Sequence, residues 1–198
     1  MSAHKSTLVF ATNNAHKLDE VRKIIGDGIT VLSLNDIDCH DDIPENESTL
    51  EGNAAAKAKW VYNRYGYDCF ADDTGLEVDA LGGRPGVHSA RFAPGTDHDG
   101  AANMRHLLDL MDGCNDRSAR FRTVIALIED GELRLFEGKI EGAIGYEPKG
   151  KNGFGYDPVF IPQGYIHTFA ELPEQVKNSI SHRAVASARL TEYLKQPK

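Results

Sequence analysis

Cysteine is scarce in this chain. Cys39, Cys69 and Cys114 are an odd number, widely separated and without C-x-x-C spacing. That fits neither a disulfide framework nor a zinc site and suits a reducing cytosol. Long apolar runs are missing as well. The N-terminal stretch MSAHKSTLVFATNN breaks into polar residues too soon for a signal peptide or a membrane span, and nothing later approaches spanning length. A cytoplasmic, soluble protein without a membrane partner is expected. Basic residues are the minority, 22 Lys and Arg against 30 Asp and Glu, a formal net charge of -8. Such a balance argues against a duplex nucleic-acid surface, which needs a basic footprint. It leaves room for a nucleotide, because a few local cations bind phosphates within an acidic protein. Repeats, low-complexity tracts and linkers are absent, so residues 1–198 are read as a single domain with length enough for a real core.

What is present centres on Phe70–Pro94, FADDTGLEVDALGGRPGVHSARFAP. The apolar run Cys69-Phe70-Ala71 leads into adjacent carboxylates, Asp72 and Asp73, and then Thr74 and Gly75. A strand ending in Asp-Asp offers one side chain to each face unless the backbone turns, and Thr74-Gly75 is expected to supply that turn. A carboxylate at a strand end can hold Mg²⁺, a hard cation that prefers oxygen ligands and phosphate partners. An Asx-turn capping the strand is the plainer alternative.

The rest of the chain reads as alternating strands and helices. Leu8–Ala11 is a short buried strand, broken by Thr12-Asn13-Asn14 before a helix with Leu18, Val21, Ile24 and Ile25 on one face. A strand, a polar turn and a helix N-terminus together favour an anion, and Lys17 can add a point charge. Ile29–Leu34 predicts a second strand, followed by an acidic loop from Asp36 to Glu47 in which Ile43-Pro44 pins Glu45. Thr49 to Asn63 is helical in pattern, with Asn53 and Lys57 four apart on one face. Gly100–Met111 is another helix, its stripe of Met104, Leu107, Leu108 and Met111 destined for the core. Phe121–Ile128 predicts a long strand, Gly131-Glu132 a hairpin turn, Leu133–Glu137 a half-exposed strand and Ile140–Ile144 a further one. The sheet is therefore expected to be mixed. In the loop from Lys149 to Pro158, three glycines surround Phe154 and Tyr156, either of which can stack on a flat ligand, and Asp157 can accept from a base edge. The alternative is a tight turn with both aromatics filling core. Val159–Ile161 is a strand, a helix starts near Pro173, and Lys177 precedes His182-Arg183. The closing helix, Ala184–Leu194, is read with Val185, Ala188 and Leu190 near its apolar face.

Five stretches in order, TNNAHK at Thr12–Lys17, NAAAKA at Asn53–Ala58, FADDTGLEVDALGGRPGVHSARF at Phe70–Phe92, GFGYDPVF at Gly153–Phe160 and SHRAVA at Ser181–Ala186, resemble the inosine/xanthosine triphosphate pyrophosphatase family. The resemblance spans essentially the whole chain. It implies an α/β fold, an elongated mixed β-sheet with flanking helices forming two lobes around a central cleft, and a homodimer. It implies hydrolysis of ITP, dITP and XTP to the monophosphate and pyrophosphate, with Mg²⁺. Thr12, Asn13, Asn14, Ala15, His16 and Lys17 look like the triphosphate loop, joined by Lys57. Asp73 resembles the family's essential acid, metal ligand and general base. Thr74 stands where the family commonly has Ser, a hydroxyl contact to substrate. Phe154, Gly155, Tyr156, Asp157, Lys177, His182 and Arg183 match nucleoside-binding positions. In the acidic loop the run Pro44-Glu45-Asn46-Glu47-Ser48 departs from the family's paired Glu; Glu45 is favoured as the second metal ligand and Glu47 competes. A pyrophosphatase for other modified nucleotides and a nucleotide-binding module without turnover are the two rival readings.

Overall fold

The computed structural model describes residues 6–196, so Met1–Lys5 of the stretch read above for targeting signals lie outside the described residues. The first strand, β1 (Ser6–Phe10), lies between two parallel neighbours. β2 (Ile29–Leu32) flanks it with Leu8 opposite Val31, and β3 (Cys69–Val78) pairs on its other side with Phe10 opposite Phe70. Strands covered on both faces read as continuous apolar runs, which is why Leu8-Val9-Phe10 and Cys69-Phe70-Ala71 are unbroken and wholly buried. Phe10 and Phe70 stack across that pair with ring centroids 4.6 Å apart.

With β4 (Pro85–Gly86), β5 (Ser118–Glu129), β6 (Glu132–Ile144) and β7 (Phe160–Pro162), the sheet has the order β2-β1-β3-β5-β6-β7, β4 pairing antiparallel on β3 and β7 antiparallel on β6. The expected mixed α/β sheet is present. Among the described residues five α-helices accompany it: α1 (Ala15–Ile25), α2 (Leu50–Tyr65), α3 (Gly100–Leu110), α4 (Glu174–Ile180) and α5 (His182–Leu194). Side chains close the N-termini of the first three, Asn14 accepting from the Lys17 amide, Thr49 from Gly52 and Asp99 from Ala102. Among the described residues no helix is long and apolar enough to cross a membrane.

The chain divides into two compact units. Of the described residues, one comprises those up to Asp73, Thr123–Gly138 and those from Arg183 onward; the other comprises Thr74–Arg122 and Lys139–His182. The first has a core of Leu8, Phe10, Val21, Phe70, Ile125 and Leu190 with their neighbours. The second is built on Leu76, Leu107, Phe121, Phe160 and Phe169, Phe121 and Phe160 approaching to 4.7 Å between centroids.

Four local expectations are corrected. Thr74-Gly75 is no turn: β3 runs straight through both. Gly75 is required for close approach instead, since a Cβ there would come within 2.6 Å of the Gly86 carbonyl oxygen on β4. β2 stops at Leu32 rather than Leu34 because Asp36 accepts from both the amide and the hydroxyl of Ser33, at 2.7 and 2.8 Å, and curls the backbone. The two strands read at 133–137 and 140–144 are one, β6, beside a twelve-residue β5; the turn joining them is Asp130-Gly131, both at positive φ. The buried face of α5 carries Arg183, Ala184, Ala186, Ser187 and Leu190, whereas Ala188 is exposed, because Arg183 has ion-pair partners that permit its burial.

Candidate active site

In the first unit, strand alternation sends the two adjacent carboxylates of β3 to different partners. Asp72, 1% exposed, accepts from Lys17 Nζ at 3.0 Å through Oδ1 and from Arg183 Nε at 3.3 Å through Oδ2. Burial alone would raise its pKa, but the cations of Lys17 and Arg183 outweigh that and hold the carboxyl well below the usual range. Arg183 is itself buried and reaches Glu20 of α1 with its other arm. Lys17 stands one turn into α1, at the end of the polar turn where the Asn14 amide donates to Thr12 Oγ1 at 3.1 Å and Asn14 Oδ1 accepts from the Lys17 amide at 3.1 Å. Thr12 and Asn14 thus shape the turn, and Asn13, Ala15 and His16 are exposed around it. Burial pulls the Lys17 pKa down, partly offset by Asp72.

Asp73 points to α2. Asn53 Nδ2 donates to Asp73 Oδ2 at 3.0 Å, and Lys57 Nζ stands 3.6 Å from Asp73 Oδ1. The same ammonium is 2.5 Å from Glu45 Oε1, so one cation gathers two carboxylates from β3 and the acidic loop. Burial raises the pKa of Asp73, with Lys57 and Lys17 opposing; burial would lower that of Lys57, but Asp73 and Glu45 raise it above its ordinary value. Of the two competing acids, the half-buried Glu45 is the one whose carboxylate reaches this cluster, whereas Glu47 is exposed and its amide donates to Asn53 Oδ1 at 2.9 Å. Other loop acids are engaged elsewhere, Asp36 with Ser33 and Arg22 and Asp41 with Arg64 and Tyr65. Among the described residues no group of three or more His, Cys, Asp and Glu converges in a metal-holding arrangement.

In the second unit the glycine-rich loop before β7 is held by Asp157. Its Oδ2 accepts from the Phe154 amide at 2.8 Å and from Lys177 Nζ at 2.7 Å. Gly153 has positive φ, and a Cβ there would overlap the Asp157 carboxylate, so this loop shape demands glycine. Lys177, on α4 and 5% exposed, also lies 5.0 Å from the centroid of the Phe154 ring, a cation–π contact. Phe154 and Gly155 are half-buried, while Tyr156 belongs to the core and donates its phenol to the Ser89 carbonyl at 2.8 Å. Of the two candidate stacking rings, then, Phe154 is the one at the surface. His182 is buried and stacks on Phe121, centroids 4.6 Å apart. Thr74 is half-buried on β3.

Two residues of this arrangement were not singled out from the sequence as site residues. Asn53 had a signal, its i,i+4 relation to Lys57 on an alanine-rich helix. Glu20 had a fainter one, a carboxylate next to Val21 on the buried side of an amphipathic helix and three residues beyond Lys17.

The sequence model of the Ham1 family matches residues 8–193. A dITP/XTP pyrophosphatase of Porphyromonas gingivalis is 55% identical over 188 residues, 94% of this chain and 96% of its own length. One from Flavobacterium johnsoniae is 50% identical over 187 residues, 94% of this chain and 97% of its own. Among solved structures, the Ham1 protein of Staphylococcus aureus is 36% identical with a TM-score of 0.86, covering 96% of this chain and 98% of its own. A HAM1 protein from Coxiella burnetii is 37% identical with a TM-score of 0.88, covering 97% of this chain and all of its own.

Proposed function

The chain belongs to the Ham1 family, and from that membership and the geometry above we propose that it is a nucleoside-triphosphate pyrophosphatase that hydrolyses ITP, dITP and XTP to the monophosphate and pyrophosphate. The observation that carries the chemistry is the Lys57 ammonium set between Glu45 and Asp73, with Asn53 holding the second oxygen of Asp73. A protein that only binds a nucleotide has no need of two acids, one of them buried, beside the phosphates it holds.

Glu45 and Asp73 fit Mg²⁺. They present carboxylate oxygens that already converge on one cation, and Mg²⁺ is commonly bound by one or two carboxylates with substrate phosphates and water completing its shell. Bound there, the ion would neutralise charge on the triphosphate oxygens. The protein's own residues do the rest. Asp73, its basicity raised by burial, accepts a proton from water as the water oxygen attacks the α-phosphorus. The bond from that phosphorus to the β-phosphate oxygen breaks, and pyrophosphate leaves. Lys17 Nζ and the exposed Asn13, Ala15 and His16 of the turn that Thr12 and Asn14 shape take the phosphate chain, and Lys57 balances charge beside Asp73. Phe154 and the Gly155 backbone meet the base, with Thr74 giving a hydroxyl to the substrate. Deamination exchanges the 6-amino donor for a carbonyl acceptor, and the donors of Lys177 and His182 are assigned to that carbonyl, Arg183 being committed to Asp72 and Glu20. Facing adenine, such a donor stays unpaired, which can discriminate strongly. Asp157 orients Lys177 and the loop, and the buried Tyr156 braces the loop from the core side.

We also assign the chain a homodimeric state from the resemblance, to be checked by sedimentation, and a reducing, cytoplasmic compartment from its three unpaired cysteines. Both units are read as parts of one catalytic domain. Hydrolysis of ITP in ¹⁸O-labelled water tests the reaction: label is expected in inosine monophosphate and none in pyrophosphate. Label in inorganic phosphate would place attack at the γ-phosphorus and refute the assignment.

A further inference from the structure

We propose that Asn53 is a positioning residue, one that sets the spacing of Glu45 and Asp73 by tying the acidic loop to β3 through its side-chain amide. The inference rests on the function proposed above, which assigns Mg²⁺ to those two acids. Asp73 has a strand to hold it, whereas residues 42–47 belong to no helix or strand. A carboxylate on such a segment is placed only as well as the side chains that fix the backbone around it.

Asn53, on α2 and 3% exposed, fixes in both directions. Its Nδ2 donates to Asp73 Oδ2 at 3.0 Å, and its Oδ1 accepts from the Glu47 amide at 2.9 Å. The partners dictate which end of the amide faces which, since an ionised carboxylate only accepts and a backbone N–H only donates. One buried amide thus links β3 to a loop backbone two residues past Glu45. Lys57, the cation Glu45 and Asp73 share, is four residues on and lies on the same helix face. Gly52 is an independent sign that the loop is seated on this helix. A Cβ there would come within 2.8 Å of Glu47 Cβ and 3.0 Å of the capping Thr49 Oγ1. Glycine is a poor helix former, yet its lack of a side chain lets Glu47 lie against the first turn. Mg²⁺ tolerates little departure from octahedral geometry, so drift of Glu45 relative to Asp73 weakens its binding. Asn53 touches no substrate in this scheme and acts through the two acids.

The test compares Asn53→Ala and Gly52→Ala with the parent, without nucleotide. The readouts are the Kd for Mn²⁺, a paramagnetic stand-in for Mg²⁺ counted by the resonance of the free ion, and hydrogen exchange at the Glu47 amide. Asn53→Ala is expected to weaken Mn²⁺ binding by about tenfold and to speed Glu47 exchange by about tenfold, the acceptor being gone. Gly52→Ala leaves Asn53 and Asp73 chemically intact and puts a better helix former into α2, but it displaces Glu47. It is expected to weaken Mn²⁺ binding by about fivefold and to speed the same exchange, with no fall in the thermal midpoint to account for either. Mn²⁺ Kd values within about twofold of the parent in both variants overturn the proposal, as does unchanged Glu47 exchange in Asn53→Ala. Weakened binding in Asn53→Ala alone also overturns it, because Asn53 would then serve Asp73 without the loop. Should Asn53→Ala fail to fold, Gly52→Ala decides by the same criteria. A parent that binds no Mn²⁺ would defeat the metal assignment of the functional reading, while Glu47 exchange would still decide whether Asn53 ties down the loop.

Discussion

Asp72 and Asp73 share a sequence context and have opposite tasks. The first is buried between two cations and kept ionised by them; the second is made more basic by burial and meets one cation it shares with Glu45. Their amides should therefore fail differently. Asp73→Asn is expected to lower kcat on ITP by about a thousandfold while the thermal midpoint stays within a few degrees, since the new amide is the same size as the lost carboxylate. Asp72→Asn leaves Lys17 and Arg183 without their shared counter-charge and is expected to cost about 3–5 kcal/mol in denaturant unfolding. Near-normal kcat for Asp73→Asn would remove it from catalysis, and an unfolding free energy unchanged in Asp72→Asn would deny it the anchoring role. The sequence pointed to both residues through their position after an apolar run. It could not assign their partners, because Lys17 lies 55 positions away from Asp72 and Arg183 lies 111 away.

At the scale of elements, Gly75 shows where local reading gives out. Glycine beside threonine after two aspartates suggests a turn, yet the residue lies inside a ten-residue strand because β4 crosses too closely for a Cβ. Gly75→Ala is expected to destabilise the protein by about 3 kcal/mol, the backbone of β4 having to move aside. Gly28→Ala, with nothing within 4 Å of its added Cβ, should change stability by less than about 0.5 kcal/mol. Equal effects in the two variants would contradict the close-approach argument. Elements marked by local chemistry were legible: β1 and the start of β3 by continuous apolar runs, α2 by its alanines, α3 by its stripe. The merger of two expected strands into β6 and the face of α5 were not, since pairing with β5 and the burial of a charged Arg183 depend on residues remote in sequence.

For the whole molecule, chemistry is distributed over segments far apart in the chain. Carboxylates and cations suited to phosphate gather in the first unit, from α1, the acidic loop, α2, β3 and α5. Phe154, Asp157 and Lys177, suited to a base, gather in the second. The order of five motifs made the family legible in the sequence; the contacts within each set required the fold. On this assignment the chain cleaves triphosphates and reads the purine 6-position. Pyrophosphate release with Mg²⁺ from ITP, XTP, ATP and GTP, measured side by side, tests it most directly. Fast release from ITP and XTP, with ATP and GTP slower by at least about a hundredfold, is the predicted result. Equal rates on all four would leave the phosphate chemistry standing and contradict base reading, and no release from any would contradict both.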